Sequence, residues 1–251
     1  MLSARILPCL DVRADRVVKG VSFQSLRDAG SPTELASEYE RQSADELVML
    51  DVSATPDERR TALHTVEAIR DRLGIPLTVG GGVRSVADAN NLLEAGADKV
   101  SVNTAAVADP PLVDELARRF GSQCTVVAVD AARTQSGRFQ AVVRSGSERV
   151  ALDVVDWARE VAERGAGEIL LTSWDRDGTR QGYDCALLRA VSAAVAIPVI
   201  ASGGASHAEH LLQAFRAGAS AALAASIFHY KDTTVGAVKE YLAAHGIEVR
   251  R

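Results

Sequence analysis

The stretch from Ile75 to Thr104, IPLTVGGGVRSVADANNLLEAGADKVSVNT, returns in weaker form from Ile197 to Ser226 as IPVIASGGASHAEHLLQAFRAGASAALAAS. Gly81 and Gly82 meet Gly203 and Gly204, and Ala95-Gly96-Ala97 meets Ala217-Gly218-Ala219, both at an offset of 122 positions. The same offset joins Ala44-Asp45-Glu46-Leu47 to Ala166-Gly167-Glu168-Ile169, and Asp11 has a counterpart in Asp130 at a slightly shorter one. Strand-like and helix-like runs alternate inside each half, so the architecture is expected to repeat as well. We expect one (β/α)8 barrel domain over 1–251, built from two duplicated half-barrels of roughly 1–122 and 123–251. With 47% hydrophobic residues, the chain can fill such a core.

Eight strand candidates follow in order: Ile6 to Leu10, Leu47 to Val52, Leu77 to Val79, Lys99 to Val102, Thr125 to Val129, Ile169 to Thr172, Val199 to Ala201 and Ala221 to Ala224. Their nearly unbroken apolar character suits parallel strands covered on both faces. Helix starts are expected at Ser31-Pro32-Thr33-Glu34, Ser85-Val86-Ala87-Asp88 and Ser206-His207-Ala208-Glu209, each with a hydroxyl three residues before an acid. Gly96 and Gly218 are expected to end helices. The connections Val12 to Ser31 and Ala131 to Ala151 are longer than most and are read as loops that could serve as lids.

A barrel of this kind carries its site at the carboxyl ends of the strands. There the repeat places a glycine pair after the third and the seventh strand, with Asn103-Thr104 and Ala225-Ser226 ending the fourth and the eighth. Glycines allow the backbone to approach a ligand, and the last two strands commonly hold phosphate. A duplicated cradle implies a ligand with phosphate at both ends. Asp11 and Asp130, on opposite strands, would lie between the cradles as a pair suited to proton donation and removal. The plain alternatives are glycines that only permit turns and aspartates that only anchor loops. At the opposite rim, Arg5, Glu46, Lys99 and Glu168 stand at strand starts, two positive and two negative, and can satisfy one another as an ion-pair plug.

The sequence also points away from several classes. A net charge of −5 without a long basic run disfavours nucleic acid and anionic membranes as partners. No apolar run reaches the roughly 18 residues of a membrane span, and the first residues read as a strand rather than a signal peptide. Cys9, Cys124 and Cys185 are scattered, which suits a reducing cytoplasm. His64, His207, His210, His229 and His245 form no strong ligand set, so no metal is expected; His207 and His210 share a helix face but read as a solvated helix start.

The strings CLDV, RVVKG, LRDAG, TVGGGVRS, AGADKVSVNTAAV, FGSQC, GAGEILLTS, DRDGT, GYD, IASGGA and ALAASIFH together resemble the cyclase subunit of imidazole glycerol phosphate synthase from end to end. That resemblance implies a barrel enzyme of histidine biosynthesis, without a cofactor, partnered by a glutaminase that supplies ammonia. Its substrate is phosphoribulosyl-formimino-aminoimidazole carboxamide ribonucleotide, a nucleotide with a phosphate at each end. The products are imidazole glycerol phosphate and aminoimidazole carboxamide ribonucleotide. Residue by residue, Asp11 and Asp130 match the acid/base pair, and Lys19 the first loop, which closes over substrate. Gly82, Asn103 and Thr104 match one phosphate site; Gly178, Gly203, Gly204, Ala225 and Ser226 match the other. Asp51, Thr172, Ser173 and Asp177 match positions around the substrate's middle. Arg5, Glu46, Lys99 and Glu168 match a charged gate for ammonia at the barrel bottom, with Asp98 beside it at the partner interface.

The chain departs from that family's pattern at several places. Ala14-Asp15 stands where Asp-Gly is usual, Ser145-Gly146-Ser147-Glu148-Arg149 runs into Val150-Ala151 where a Thr-Gly pair is common, Ser53 replaces Thr, and Trp174 replaces a smaller apolar residue. Three other readings share the repeat. They are the sister isomerase of the same pathway, a paralogous cyclase serving another glutamine-dependent pathway, and a non-catalytic phosphate-binding partner that activates a glutaminase.

Overall fold

The computed structural model describes residues 3–21, 24–52, 56–144 and 146–250; for residues 19–21, 24–27 and 56–61 it describes the backbone alone. The chain runs β1 (Arg5–Arg13), β2 (Arg16–Val21), β3 (Gln24–Gly30), α1 (Pro32–Arg41), β4 (Leu47–Asp51), α2 (Pro56–Arg70), β5 (Leu77–Gly80) and α3 (Val86–Glu94). It continues with β6 (Lys99–Val102), α4 (Thr104–Ala108), α5 (Pro111–Phe120), β7 (Thr125–Arg133), β8 (Phe139–Val143), β9 (Glu148–Asp153) and α6 (Val154–Glu163). It ends with β10 (Glu168–Ser173), α7 (Cys185–Ser192), β11 (Val199–Ser202), α8 (Ala208–Arg216), β12 (Ala221–Ala224), α9 (Ser226–His229) and α10 (Val235–Ala244).

Eight of these strands pair in parallel in the order β1-β4-β5-β6-β7-β10-β11-β12, and β12 returns to β1. The result is a closed (β/α)8 barrel. The eight barrel strands coincide with the eight apolar runs of the sequence. The two copies of the repeated stretch occupy β5-α3-β6 and β11-α8-β12.

The strands separate two cores. Alternate residues point inward, where Leu7, Val48, Val126, Leu170, Ile200 and Leu223 fill the barrel. The intervening residues, such as Ile6, Leu47, Leu77, Ile169 and Leu171, point outward and join helix residues such as Ile69, Leu116 and Trp157 in the larger core. This alternation decides where the charges go. Arg5, Leu7, Cys9 and Asp11 share the inward face of β1, so one strand carries a cation at the barrel bottom and an acid at the top. Lys99, Ser101 and Asn103 share the inward face along β6, and Glu168, Leu170 and Thr172 along β10, so each of these strands carries a charge at the bottom and a hydrogen-bonding side chain at the top.

Two expectations need correction. The long connections after the first and fifth strands are not plain loops. β1 and β7 each run to nine residues, and each continues into an antiparallel excursion: β2 and β3 beyond β1, β8 and β9 beyond β7. The helix starts are placed correctly, but only the second caps as expected. Ser85 Oγ accepts the Asp88 N–H over 3.1 Å. Ser31 spends its hydroxyl on Thr33, at 3.0 Å. At the third helix the N-cap position falls on His207, whose side chain makes no capping bond, and the Ser206 hydroxyl lies 3.2 Å from His210 Nδ1. Gly96 and Gly218 follow their helices at φ 108° and 103°. Their N–H groups reach the Leu93 and Phe215 carbonyls, so the two helix ends close alike.

Candidate active site

A cavity of about 850 Å³ opens at the carboxyl ends of the barrel strands. Thirteen of the residues to which the resemblance gives a catalytic or binding role line it: Asp11, Asp51, Gly82, Asn103, Thr104, Asp130, Thr172, Asp177, Gly178, Gly203, Gly204, Ala225 and Ser226. They reach it from the ends of all eight barrel strands, which the parallel barrel brings to a single rim.

Asp11 and Asp130 face this cavity from β1 and β7. Asp11 is buried, with Cys9 Sγ at 4.0 Å from its Oδ1. Asp130 accepts the Asn103 side-chain amide over 2.9 Å. Burial pushes the Asp130 carboxyl up to about 6; hydrogen bonds from Thr172 and Asn103 oppose this, and the charge of Asp177 adds to it. An acid poised near neutrality can both hold and release a proton in the working range.

The glycine turns are built alike. Gly81 and Gly82 adopt φ 95° and 69°, and Gly203 and Gly204 adopt φ 91° and 98°, where L side chains are strained. Packing adds its own demand at Gly81, where a Cβ would run into the Asp51 backbone, and at Gly204, where it would meet the Gly182 carbonyl. The turn reading therefore holds at these two positions whatever the ligand. Beside each turn a short helix begins from the same unusual backbone: Asn103 at φ −131°, ψ −91° before α4, and Ala225 at φ −125°, ψ −74° before α9. Thr104 and Ser226, the first residues of α4 and α9, thus face the cavity at two separate places.

Not every expected residue joins this wall. Ser173 lies one residue past Thr172 on β10, so alternation turns it away from the barrel interior. It is buried, and its carbonyl accepts the N–H groups of Arg176 and Asp177. It shapes the turn that carries Asp177. The Lys19 side chain and Ser53 lie outside the described residues.

At the other end of the barrel the four charges close a ring. Arg5 reaches Glu46 at 3.2 Å and Glu168 at 2.7 Å, while Lys99 reaches Glu46 at 2.8 Å and Glu168 at 3.0 Å. Thr78 Oγ1 donates to Glu46 Oε1 over 2.5 Å. Each carboxylate is satisfied by both cations, as the plug reading requires. Asp98 stands just outside the ring. It pairs with Arg70 at 2.8 Å and accepts the Leu77 N–H over 2.7 Å, and it stays half exposed.

The cavity wall also holds the arginines Arg13, Arg84, Arg144 and Arg180, which the sequence reading passed over, and Cys9 and Trp174, to which it gave no role in the site. Three of the arginines carried a legible signal. Arg13, Arg84 and Arg180 each stand two positions after Asp11, Gly82 or Gly178, so each motif that reaches the rim brings a cation with it. Arg144 gave no such sign, because only the β8 excursion brings it back over the site.

Among the described residues no group of three His, Cys, Asp or Glu could hold a metal ion, and no helix is long and apolar enough to cross a membrane. A (β/α)8 barrel with buried acids and a cationic rim around a cavity at its carboxyl end has the construction of an enzyme for a small anionic substrate. Residues 5–234 match the model of the histidine biosynthesis protein family. The chain belongs to that family of biosynthetic enzymes, which takes in both an isomerase and a cyclase.

Proposed function

We propose that this protein is the cyclase subunit of imidazole glycerol phosphate synthase, a cytoplasmic lyase. It would use ammonia from a partner glutaminase to convert phosphoribulosyl-formimino-aminoimidazole carboxamide ribonucleotide to imidazole glycerol phosphate and aminoimidazole carboxamide ribonucleotide. The observation that carries the reading is the placement of Asp11 and Asp130 in one cavity, with both glycine turns in its wall. In this reading the Gly82, Asn103 and Thr104 side holds one phosphate. The Gly178, Gly203, Gly204, Ala225 and Ser226 side holds the other. Ammonia adds to the substrate's carbonyl carbon, water leaves as an imine forms, and the ring closes as the formimino linkage breaks. Asp11 and Asp130 supply and remove the protons of these steps, with Asp51, Thr172 and Asp177 along the substrate's middle.

The cyclase is preferred over the isomerase because of the ring of Arg5, Glu46, Lys99 and Glu168 at the far end of the barrel. An enzyme fed with ammonia by a docked glutaminase has a use for a polar entry there, and Asp98 would lie on the docking face. An isomerase that takes no second reactant does not. The test is turnover of the bisphosphate nucleotide with an ammonium salt at alkaline pH and no glutaminase, followed by the fall in substrate absorbance. Turnover in the parent that is lost in Asp11→Asn or Asp130→Asn supports the reading. Turnover of the isomerase substrate without ammonia, or tight binding with no turnover, would replace it with the isomerase or a binding partner.

A further inference from the structure

The geometry points to Arg144 as a further phosphate-binding residue, whose guanidinium serves the anion held at Gly82, Asn103 and Thr104, with Trp174 and Gly146 seating the turn that carries it. The inference rests on the phosphate reading of that end of the cavity.

Arg144 follows β8 directly and lines the cavity together with Thr104 and Trp174. Its main-chain N–H donates to Thr104 Oγ1 over 3.0 Å, so the β8–β9 turn is anchored to the first residue of α4. The other side of the same turn is Gly146, which packs so closely on Trp174 that a Cβ there would run into the indole. The Trp174 main chain is itself fixed, since its backbone N–H donates to the Ala131 carbonyl of β7 over 2.8 Å. The turn is thus fastened to two strand ends, and Arg144 emerges between the fastenings.

The backbone of Arg144 argues for its side chain. It sits at φ 52°, in the left-handed region, where glycine or asparagine would relieve strain. That conformation turns the chain at the end of β8 so that the guanidinium stands in the cavity wall. That group pairs with Glu148, four residues further on, at 3.2 Å, with both side chains well exposed at 71% and 48%. An exposed pair of this kind is weak, and a phosphate offers the guanidinium a bidentate partner of higher charge. Trp174, a departure from the family's pattern, and Gly146 are in this view a single feature: a bulky ring just past β10 and the residue without a side chain that it requires.

The variant that isolates the claim is Arg144→Gly. It keeps the N–H that bonds Thr104, suits the positive φ and removes the cation together with its weak, exposed pair to Glu148. Calorimetric titration with inorganic phosphate should show one class of site weakened about tenfold relative to the parent, with the other unchanged. Arg144→Lys should retain part of the affinity. Trp174→Leu should weaken the same class, and adding Arg144→Gly to it should weaken that class no further than Arg144→Gly alone. In turnover assays KM should rise while kcat stays within about twofold, as for a contact made equally in ground and transition states. Phosphate titrations of Arg144→Gly that match the parent at both sites overturn the proposal, whatever the turnover. Phosphate binding that depends on Arg144 in a protein with no cyclase activity leaves this proposal standing and removes the cyclase reading.

Discussion

Asn103 donates its side-chain amide to Asp130 over 2.9 Å, tying the end of β6 to the end of β7 inside the cavity. The bond works against burial, which otherwise pushes the Asp130 carboxyl up to about 6. Thr172 acts with Asn103, and the charge of Asp177 acts against both. The proton affinity of Asp130 is therefore a balance that can be moved from either side. Removing the donor in Asn103→Leu should shift the acid limb of the kcat/KM profile to higher pH. Removing the neighbouring charge in Asp177→Asn should shift it lower. The profile is to be measured with ammonium at constant free ammonia, since kcat/KM reports the groups of the free enzyme. A limb that stays in place in both variants assigns the titration to another residue.

The same shift fixes the sign of a stability effect. The Asp130 carboxyl titrates near its ordinary 3.8 when unfolded and at about 6 when folded. The native state therefore binds the proton more tightly, and stability falls as pH rises from about 4 to about 6, staying lower above that. The cost is at most about 3 kcal/mol at neutral pH, reduced by water entering the cavity. Asp130→Asn cannot ionise, so it should be more stable than the parent at pH 8 and lose that advantage at pH 4. Urea unfolding at both pH values measures it. A difference that is the same at both would show that ionisation is not its source.

The ring at the barrel bottom gives a different test, because its members share partners. Glu46 accepts from Arg5, Lys99 and Thr78 together and is 2% exposed. Glu46→Ala leaves two cations facing Glu168 alone, and loss of one member of a buried pair costs about 3–5 kcal/mol. Adding Lys99→Met removes the surplus cation and leaves the Arg5–Glu168 pair at 2.7 Å, so most of that loss should return. Denaturant midpoints of the two variants decide it. Equal instability in the single and the double variant would mean that the ring does not act as one balanced unit.

The barrel was legible because strands covered on both faces leave continuous apolar runs, and because the repeat in the sequence marks its own strand ends. β12, written only as Ala221-Ala222-Leu223-Ala224, was readable through its match to β6 in the first copy. The excursions were not legible. β2 and β8 lie outside the repeat, and β9 opens on the exposed Glu148 and Arg149 and offers only the short apolar run Val150-Ala151-Leu152. The cavity residues followed from strand ends alone. What sequence could not supply was which of two neighbours faces inward, as with Thr172 and Ser173, and which distant turn folds back to the rim, as with Arg144. Both depend on the pairing of strands far apart in the chain.

The contact between Gly146 and Trp174 predicts a coupled pair of stability effects. Gly146→Ala places a methyl group against the indole at a residue with φ 85°, so it meets both a clash and backbone strain. It should destabilise by about 2–3 kcal/mol. In a Trp174→Leu background the clash is gone and only the strain remains, so the same substitution should cost about 1 kcal/mol. A double-mutant cycle measures the difference. Strict additivity would mean that the two residues do not share one packing site.

The turn between β1 and β2 carries its strain in a residue that gains nothing from it. Ala14 and Asp15 adopt φ 48° and 57°, the two left-handed positions of a tight hairpin between Arg13 and Arg16. Asp15 has a reason to be there, since its carboxylate accepts a hydrogen bond from Thr65 Oγ1. Ala14 has a methyl group in a conformation that costs an L residue about 1 kcal/mol. Ala14→Gly should therefore raise stability by somewhat less than that, because glycine also adds freedom to the unfolded chain. For a chain of this length the melting temperature should rise by about 1–3 °C. Asp15→Gly relieves the same strain but loses the bond to Thr65, so it should bring no gain. Thermal melts of the two variants side by side decide it: a gain from Asp15→Gly and none from Ala14→Gly would mean that the hairpin's strain resides elsewhere.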